Sequence, residues 1–336
     1  MKRKGGLYAH ITTRDALMAA YHAAAKHKTA KRACFNFERC LASNIDALYQ
    51  DLKNGSYCPK PYYTFEVYEP KQRTIYAPAF RDLVVQHAVH ALVNPIFDCT
   101  FIDQSYACRK GMGTHKAADY AQDAMRRSSR ESYTLKIDIR KFFYRIERDI
   151  LRKLIERKIK DARVVDLMMK FANHGQPLGI PIGNLLSQLY ALIYLSPMDH
   201  YIKRVLKIKY YCRYVDDGLL IGLTHKECVD AHLKIERFIH NELHLEYSHT
   251  TIAHIKKGVN FVGFRTWHSK RFIRKRSLYV FRQSLKKGNI ESVVSLLGHA
   301  RHTSSIRHML DQIDKEVSNE NHCIQKIYRQ LNHAYI

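Results

Sequence analysis

No run of apolar residues in the sequence approaches the roughly 20 needed to cross a bilayer, so no membrane span is expected. No Cys-x-x-Cys pair occurs either; the eight cysteines, at positions 34, 40, 58, 99, 108, 212, 228 and 323, stand singly. That scatter argues against a zinc site. With no signal peptide at the start, it points to reduced thiols and a cytoplasmic setting. The 20 histidines show no spacing that suits a metal. There are no internal repeats, no low-complexity segments and no Gly/Ser linker that would divide the chain. Acidic residues are scarce: 31 Asp and Glu face 56 Lys and Arg, leaving a formal charge of +25 over 336 residues.

So large an excess implies a polyanionic partner, most simply nucleic acid. Basic residues are spread along the chain and cluster at 2–4, 126–127, 256–257 and 271–276. Tyr (22) and Phe (14) are plentiful among them, which suits stacking on bases, although most must serve the core. Periodicity predicts helices over 15–28 and 36–54, the second ended by Gly55, then strands over 62–68 and 74–77. A helix over 81–94 is expected to stop at Pro95. Further helices are expected over 114–129, 147–160 and 162–173, from Asn184 to about 206, and over 225–243. Residues 259–267 read as strand, and the basic region from about 271 as mostly helical. Few strands flanked by many helices give an α+β fold.

Residues 211–222 read Tyr-Cys-Arg-Tyr-Val-Asp-Asp-Gly-Leu-Leu-Ile-Gly. Two adjacent carboxylates between two apolar runs predict a β-hairpin whose tight turn carries Asp216 and Asp217. Adjacent like charges in an apolar setting are costly as structure alone. A divalent cation offsets that cost, and two cations with a third carboxylate make a phosphoryl-transfer site. A solvated turn is the plainer alternative. The third carboxylate is Asp138, at the end of a strand in which Leu135 and Ile137 alternate with Lys136 and Asp138. By itself it reads equally well as a strand cap. A third segment, 177–188, reads Pro-Leu-Gly-Ile-Pro-Ile-Gly-Asn-Leu-Leu-Ser-Gln and precedes an apolar helical run.

In this order the segments resemble a reverse transcriptase: the strand Asp138, the Pro181-x-Gly183-x-x-x-Ser187 stretch and Tyr214-x-Asp216-Asp217. The likeness runs from about residue 60 to 266. It includes fingers-like segments around Lys71–Arg73 and Arg81–His87, the stretch 105–111, and a primer-grip segment Phe261, Val262, Gly263, Phe264. The resemblance implies a polymerase right hand. Fingers would span 1–100, palm 101–139 and 181–266, mixed fingers and palm helices 140–180, and a basic helical thumb 267–336. It implies two Mg²⁺, or Mn²⁺ in their place, held by Asp138, Asp216, Asp217 and the carbonyl of Ile139. It also implies deoxynucleoside triphosphates, template RNA and the RNA/cDNA duplex as partners. Lys71, Arg73 and Arg81 become candidates for the triphosphate, since their charge offsets the developing negative charge. Phe143 becomes a steric gate at the sugar C2′, Phe142 or Phe143 being core. Ile182, Gly183 and Gln188 line the base pocket and template side. Arg271, Arg274, Lys275 and Arg276 contact nucleic acid. His249 stands near where relatives of other classes carry a proton-donating Lys.

The departures narrow the resemblance. Ile182 stands where most bacterial retroelement enzymes have Gln, and Gln188 where they have Pro. That variant is similar to reverse transcriptases of diversity-generating retroelements, which copy a template RNA with errors at adenines and work with a small basic accessory variability protein. An Ile neither donates nor accepts a hydrogen bond, so it would hold the nascent pair less tightly. The alternatives are a group II-like or phage-defence lineage and an RNA-binding relative that has lost catalysis.

Overall fold

In the computed structural model, residues 3–68 and 72–318 are described. The chain divides into two compact units: 1–103 with 138–207 and 233–249, and 104–137 with 208–232 and 250–336. This partition cuts the expected 181–266 palm segment into four pieces.

The first unit opens with α1 (Leu7–Ile11), α2 (Arg14–Ala25), α3 (Arg32–Glu38) and α4 (Leu41–Asn54). Thr13 caps α2 by accepting the Ala16 amide, and Gly55 ends α4 in the left-handed conformation at φ 76, which only glycine adopts without strain. Strands β1 (Tyr63–Val67) and β2 (Arg73–Ala77) pair as an antiparallel hairpin. Helix α5 (Phe80–Asp98) follows. It does not stop at Pro95 but runs through it. A proline forfeits the bond to the carbonyl four residues earlier and crowds that carbonyl, but the burial of Val93 and Phe97 on either side keeps the last turn in place. Tyr21, Phe37 and Phe80 form an aromatic cluster with centroids 5.4–6.2 Å apart.

Helix α6 (Thr114–Arg127) and strand β3 (Tyr133–Ile139) come next, then α7 (Phe142–Arg145), α8 (Arg148–Glu156), α9 (Ala162–Ala172) and α10 (Leu185–His200), which a π-helical turn extends to Val205. Helix α10 is apolar nearly all round and accordingly buried. Its two tyrosines satisfy their hydroxyls on main-chain carbonyls, Tyr190 on Met168 at 2.6 Å and Tyr194 on Leu243 at 2.8 Å. The remaining elements are β4 (Tyr210–Tyr214), β5 (Asp217–Leu223), α11 (His225–Leu243), β6 (Tyr247–His254), β7 (Val259–Phe261), β8 (Phe264–Thr266), β9 (Arg271–Ile273), α12 (Lys275–Lys286), α13 (Ile290–Ala300) and α14 (Ser305–Ser318).

Two antiparallel arrangements organise the second unit. One is a four-stranded sheet of order β4-β5-β3-β6, in which the ends of β3 and β6 belong to the first unit; the other is a three-stranded β7-β8-β9 meander. The expected strand over 259–267 is thus two strands joined by a tight turn, and β9 precedes the helices of the basic region. The core joins Ala117, Ala121 and Met125 of α6 to Leu219 and Ile221 of β5, Phe264, Phe281 and Leu297. Small residues on α6 let it lie close on the sheet. Among the described residues no helix is long and apolar enough to cross a membrane.

His87, half-buried in α5, has its pKa pushed down from 6.5 to about 4 by burial first, then by Lys28 and His90. The folded chain therefore keeps it neutral, while the unfolded chain protonates it near 6.5. Its contribution is complete above about pH 6.5 and is lost as pH falls toward about 4. Urea unfolding should show stability dropping between about pH 7 and pH 5, with a smaller drop in His87→Gln.

Candidate active site and nucleic-acid interface

In the second unit, β4 and β5 pair from Tyr210 with Ile221 down to Tyr214 with Asp217. Only Val215 and Asp216 form the turn, so Asp217 begins β5 rather than sharing the turn as the sequence suggested. Val215 has φ 55, a left-handed conformation that a β-branched residue adopts at a cost of about 1–3 kcal/mol. What holds it there is Arg213, which is 1% exposed. Its Nη1 donates to the Val215 carbonyl at 2.6 Å and its Nη2 to Ser105 Oγ at 3.2 Å. The same stretch covers the edge of β4. Arg213 N donates to Gln104 O at 2.9 Å, Tyr106 N donates to Arg213 O at 3.0 Å, and Ser105 forms a parallel bridge with Arg213. Sequence reading passed over Arg213. The available signal was a guanidinium in an otherwise apolar strand, two residues before the turn.

Asp217 Oδ1 lies 3.0 Å from Lys136 Nζ, both about a quarter exposed. Gly218 beside it faces Ile137, whose Cγ1 would lie 2.7 Å from a Cβ at that position. These contacts fix β5 against β3 one residue short of Asp138, which follows Ile137 in the chain.

In the first unit, Asp138 is half-buried on the same face of β3 as Lys136, while Ile137 and Ile139 are buried on the other. Ser248 of β6 donates its hydroxyl to Asp138 Oδ2. Lys141 turns the chain at φ 46 into α7. There Phe142 is core, 2% exposed and packed on Phe143 and Tyr194, while Phe143 stays half-buried. The loop before α10 lies against α7: Ile180 N donates to Phe143 O at 2.9 Å, and a Cβ on Gly179 (φ 86) would lie 2.9 Å from that carbonyl. Arg148, also unforeseen, pins the loop by donating to the carbonyls of Gln176, Pro177 and Gly179 at 2.8–2.9 Å.

The Pro181–Gln188 segment is built around its own hydrogen bonds. Ser187 Oγ donates to Pro181 O at 2.6 Å, and Asn184 caps α10 by accepting the Leu186 amide. Tyr76 N of β2 donates to Ile182 O at 2.7 Å. Gly183 (φ 97) lies so close to Ile75 that a Cβ would meet Ile75 Cγ2 at 2.6 Å. The hairpin β1–β2 is thus seated on this segment, with Ile182 half-buried and Gln188 exposed. Arg73 is exposed on β2, and Lys71 lies outside the described residues. Arg81 is engaged elsewhere, 2.9 Å from Asp51 and over the Tyr57 ring. Its neighbour Asp82, 1% exposed, accepts from Tyr57 Oη and Lys60 N.

The turn of β7–β8, Val262 and Gly263, has both residues left-handed at φ 44 and 91. His299 of α13 stacks on Phe264 at 4.3 Å, and Arg274 N donates to Gly263 O at 3.3 Å. Burial pushes the His299 pKa down. Among the four basic residues expected to meet nucleic acid, Arg271 is a correction. It is 4% exposed, its Nη1 lies 2.8 Å from Asp119 and its Nη2 3.0 Å from Gln122 Oε1, so it ties α6 to β9. Strand alternation turns it inward. Arg274, Lys275 and Arg276 are exposed at the first turn of α12. Three cations at the positive end of a helix repel the dipole and one another, and a phosphate relieves both.

Carboxylates are the hard oxygen donors that divalent cations take. Asp138 and Asp217 have partners of their own in Ser248 and Lys136, and among the described residues no set of three His, Cys, Asp or Glu side chains is gathered tightly enough to hold a metal.

Comparison with known proteins supplies relatives. Residues 59–266 match the family described as reverse transcriptase (RNA-dependent DNA polymerase). Protein YkfC of Escherichia coli (strain K12) is 28% identical over 288 residues, covering 71% of this chain and 74% of that protein. The group II intron-encoded protein LtrA of Lactococcus lactis subsp. cremoris is 25% identical over 328 residues, covering 75% of this chain. The chain spans only about half, 54%, of LtrA. Among solved structures, telomerase from Candida albicans in complex with a TWJ fragment of telomeric RNA aligns with 87% of this chain and 60% of its own, at TM-score 0.49 and 13% identity.

Removing the Arg213 fork should loosen the Asp216 turn. Arg213→Met leaves the half-buried Val215 carbonyl and the buried Ser105 hydroxyl without the fork and should cost about 3 kcal/mol. Ser105→Ala should cost about 1 kcal/mol. Urea unfolding followed through Trp267, the single tryptophan of the sequence, measures both.

Proposed function

The chain belongs to the reverse transcriptase family, and we propose that it is an RNA-directed DNA polymerase of the diversity-generating kind, copying a retroelement's template RNA into cDNA with frequent errors at adenines. The observation that carries the polymerase reading is the Val215–Asp216 turn, held left-handed by a buried arginine within a family match over 59–266. Strain kept at such a position serves the placement of Asp216.

Asp138, Asp216 and Asp217 fit as oxygen donors to divalent cations, Mg²⁺ or Mn²⁺, with the Ile139 carbonyl as a further ligand. When bound, the ions would lower the pKa of the primer 3′-hydroxyl and stabilise the pyrophosphate leaving group. Before that, Lys136 offsets the charge of Asp217. Ser248 holds one oxygen of Asp138 and so fixes the rotamer of its carboxylate. Phe143, its neighbour Phe142 committed to the core, is the ring that meets the sugar and excludes a 2′-hydroxyl. Arg73 and Lys71 take the triphosphate. The β7–β8 turn grips the primer, and Arg274, Lys275 and Arg276 hold the RNA/cDNA duplex. A small basic accessory protein completes the assembly.

Ile182 supports the mutagenic reading. Its carbonyl is already used by Tyr76, and its side chain offers no hydrogen bond to an incoming nucleotide. Weaker anchoring narrows the gap between right and wrong pairs, and about 1.4 kcal/mol is tenfold in selectivity. A second reading, a group II-like enzyme, is favoured by the similarity to LtrA.

Asp138→Asn and Asp216→Asn should each abolish primer extension on an RNA template while leaving far-UV circular dichroism and RNA affinity near wild type. Synthesis at wild-type rate in either would sink the metal assignment. RNA affinity should fall steeply with salt as bound cations displace counterions. Replacing Arg274, Lys275 and Arg276 with Ala should flatten the slope of log K against log salt by about one for each phosphate no longer neutralised. Sequencing cDNA from a defined RNA should show fewer errors opposite adenine in Ile182→Gln than in wild type. A low, base-independent error rate in the wild type would favour the group II-like reading.

A further inference from the structure

A cleft of about 350 Å³ opens in the second unit where the end of α6 meets the 3-10 turn after β6 and the residues after β8. Arg126, Arg130 and Lys256 line it, together with Met125, Ile255 and Trp267, and no carboxylate is among its lining residues. Two of the three cations have acidic partners outside the cleft, Arg126 with Asp123 at 2.9 Å and Lys256 with Glu131 at 2.5 Å. Arg130 has none among the described residues, and the Trp267 indole N–H likewise makes no hydrogen bond among them. The indole is held rigidly. Gly258 lies so close beneath it that a Cβ there would come within 2.7 Å, and Arg265 lies over its ring at 5.2 Å.

The volume is that of a small-ligand site. Its chemistry asks for a ligand with a negative end for the guanidinium and ammonium groups and a flat apolar body for Met125, Ile255 and the indole edge. A nucleotide unit has both. The cleft also lies away from the Asp216 turn. Ser128, which helps line it, abuts Gly222, five residues along β5 from Asp217. At roughly 3.3 Å per residue that is about 16 Å.

We propose that this cleft is a second RNA contact, which holds one unpaired nucleotide of the bound RNA. A polymer is favoured over a free nucleotide because exposed Arg127 and Lys257 adjoin the lining residues Arg126 and Lys256 in the chain, and exposed Lys270 lies 5.9 Å from the Trp267 ring, so further cations are at hand for the neighbouring phosphates. The inference rests on the reading of the chain as an RNA-handling enzyme for the identity of the polymer, and not on its catalysis.

Trp267, the single tryptophan, reports on the cleft directly. The full chain is titrated, without divalent metal or triphosphates, with a single-stranded pentaribonucleotide, the same RNA in a blunt duplex, a nucleoside monophosphate, inorganic phosphate and a poly-glutamate peptide. The single-stranded RNA should change Trp267 emission saturably, and at least about tenfold more tightly than the monophosphate or the duplex. Arg130→Ala/Lys256→Ala, both exposed positions and checked for fold by circular dichroism, should weaken that binding about tenfold or more. No saturable change, unchanged affinity in the double variant, or equal response to phosphate, monophosphate or peptide would overturn the proposal. Because the titration needs no synthesis, it stands or falls separately from the polymerase assay.

Discussion

A guanidinium cannot shed its charge, so one that is buried must find acceptors or the fold pays several kcal/mol. Arg213 meets that constraint by drawing its acceptors from separate stretches of chain, the Val215 carbonyl ahead of it and the Ser105 hydroxyl from the segment before α6. The consequences spread outward. Residues 104–106 become an added edge for β4, the hairpin acquires a turn of only two residues, and Asp216 is presented at a fixed point. Asp217 and Gly218 then have no freedom either, because Lys136 and Ile137 of β3 occupy the space beside them. One cation thus specifies the backbone around two carboxylates.

A similar economy holds in the first unit. The segment from Pro177 to Asn184 has little regular structure, yet the carbonyls of Pro177, Gly179, Pro181 and Ile182 are taken by Arg148, Ser187 and Tyr76. Two glycines there, at 179 and 183, sit where a methyl group would strike a neighbour.

Much of the fold could be read from periodicity. Helices α2, α6, α9 and α11 lie within a few residues of their expected bounds; the helix expected over 36–54 is broken between α3 and α4, although Gly55 ends α4 as glycine at a helix end should. The carboxylate hairpin was legible because apolar runs flanking Asp-Asp have few other solutions. What escaped were features set by tertiary contact. Pro95 stayed inside α5 because both sides of it are buried. Arg271 looked like surface charge because local sequence shows the cluster 271–276 but not the alternation of a three-residue strand inside it. Arg148 and Ser248 act through partners tens of residues away, as Arg213 does through Ser105, and no local pattern encodes a partner at that distance. Two basic positions out of the same cluster can therefore have opposite fates, one a tie within the core and the other open to phosphate.

The hydrogen bond from Tyr76 to Ile182, and the fit of Gly183 against Ile75, join two segments that lie far apart in the chain. Neither can drift alone. An enlarged side chain at 75 would displace the loop at 183, and a loop that moved would unseat the hairpin. A substitution here is therefore a two-locus problem: a change at position 182 is judged together with whatever stands at 75 and 76. A graft of either segment from a relative should keep its own geometry only when the other travels with it.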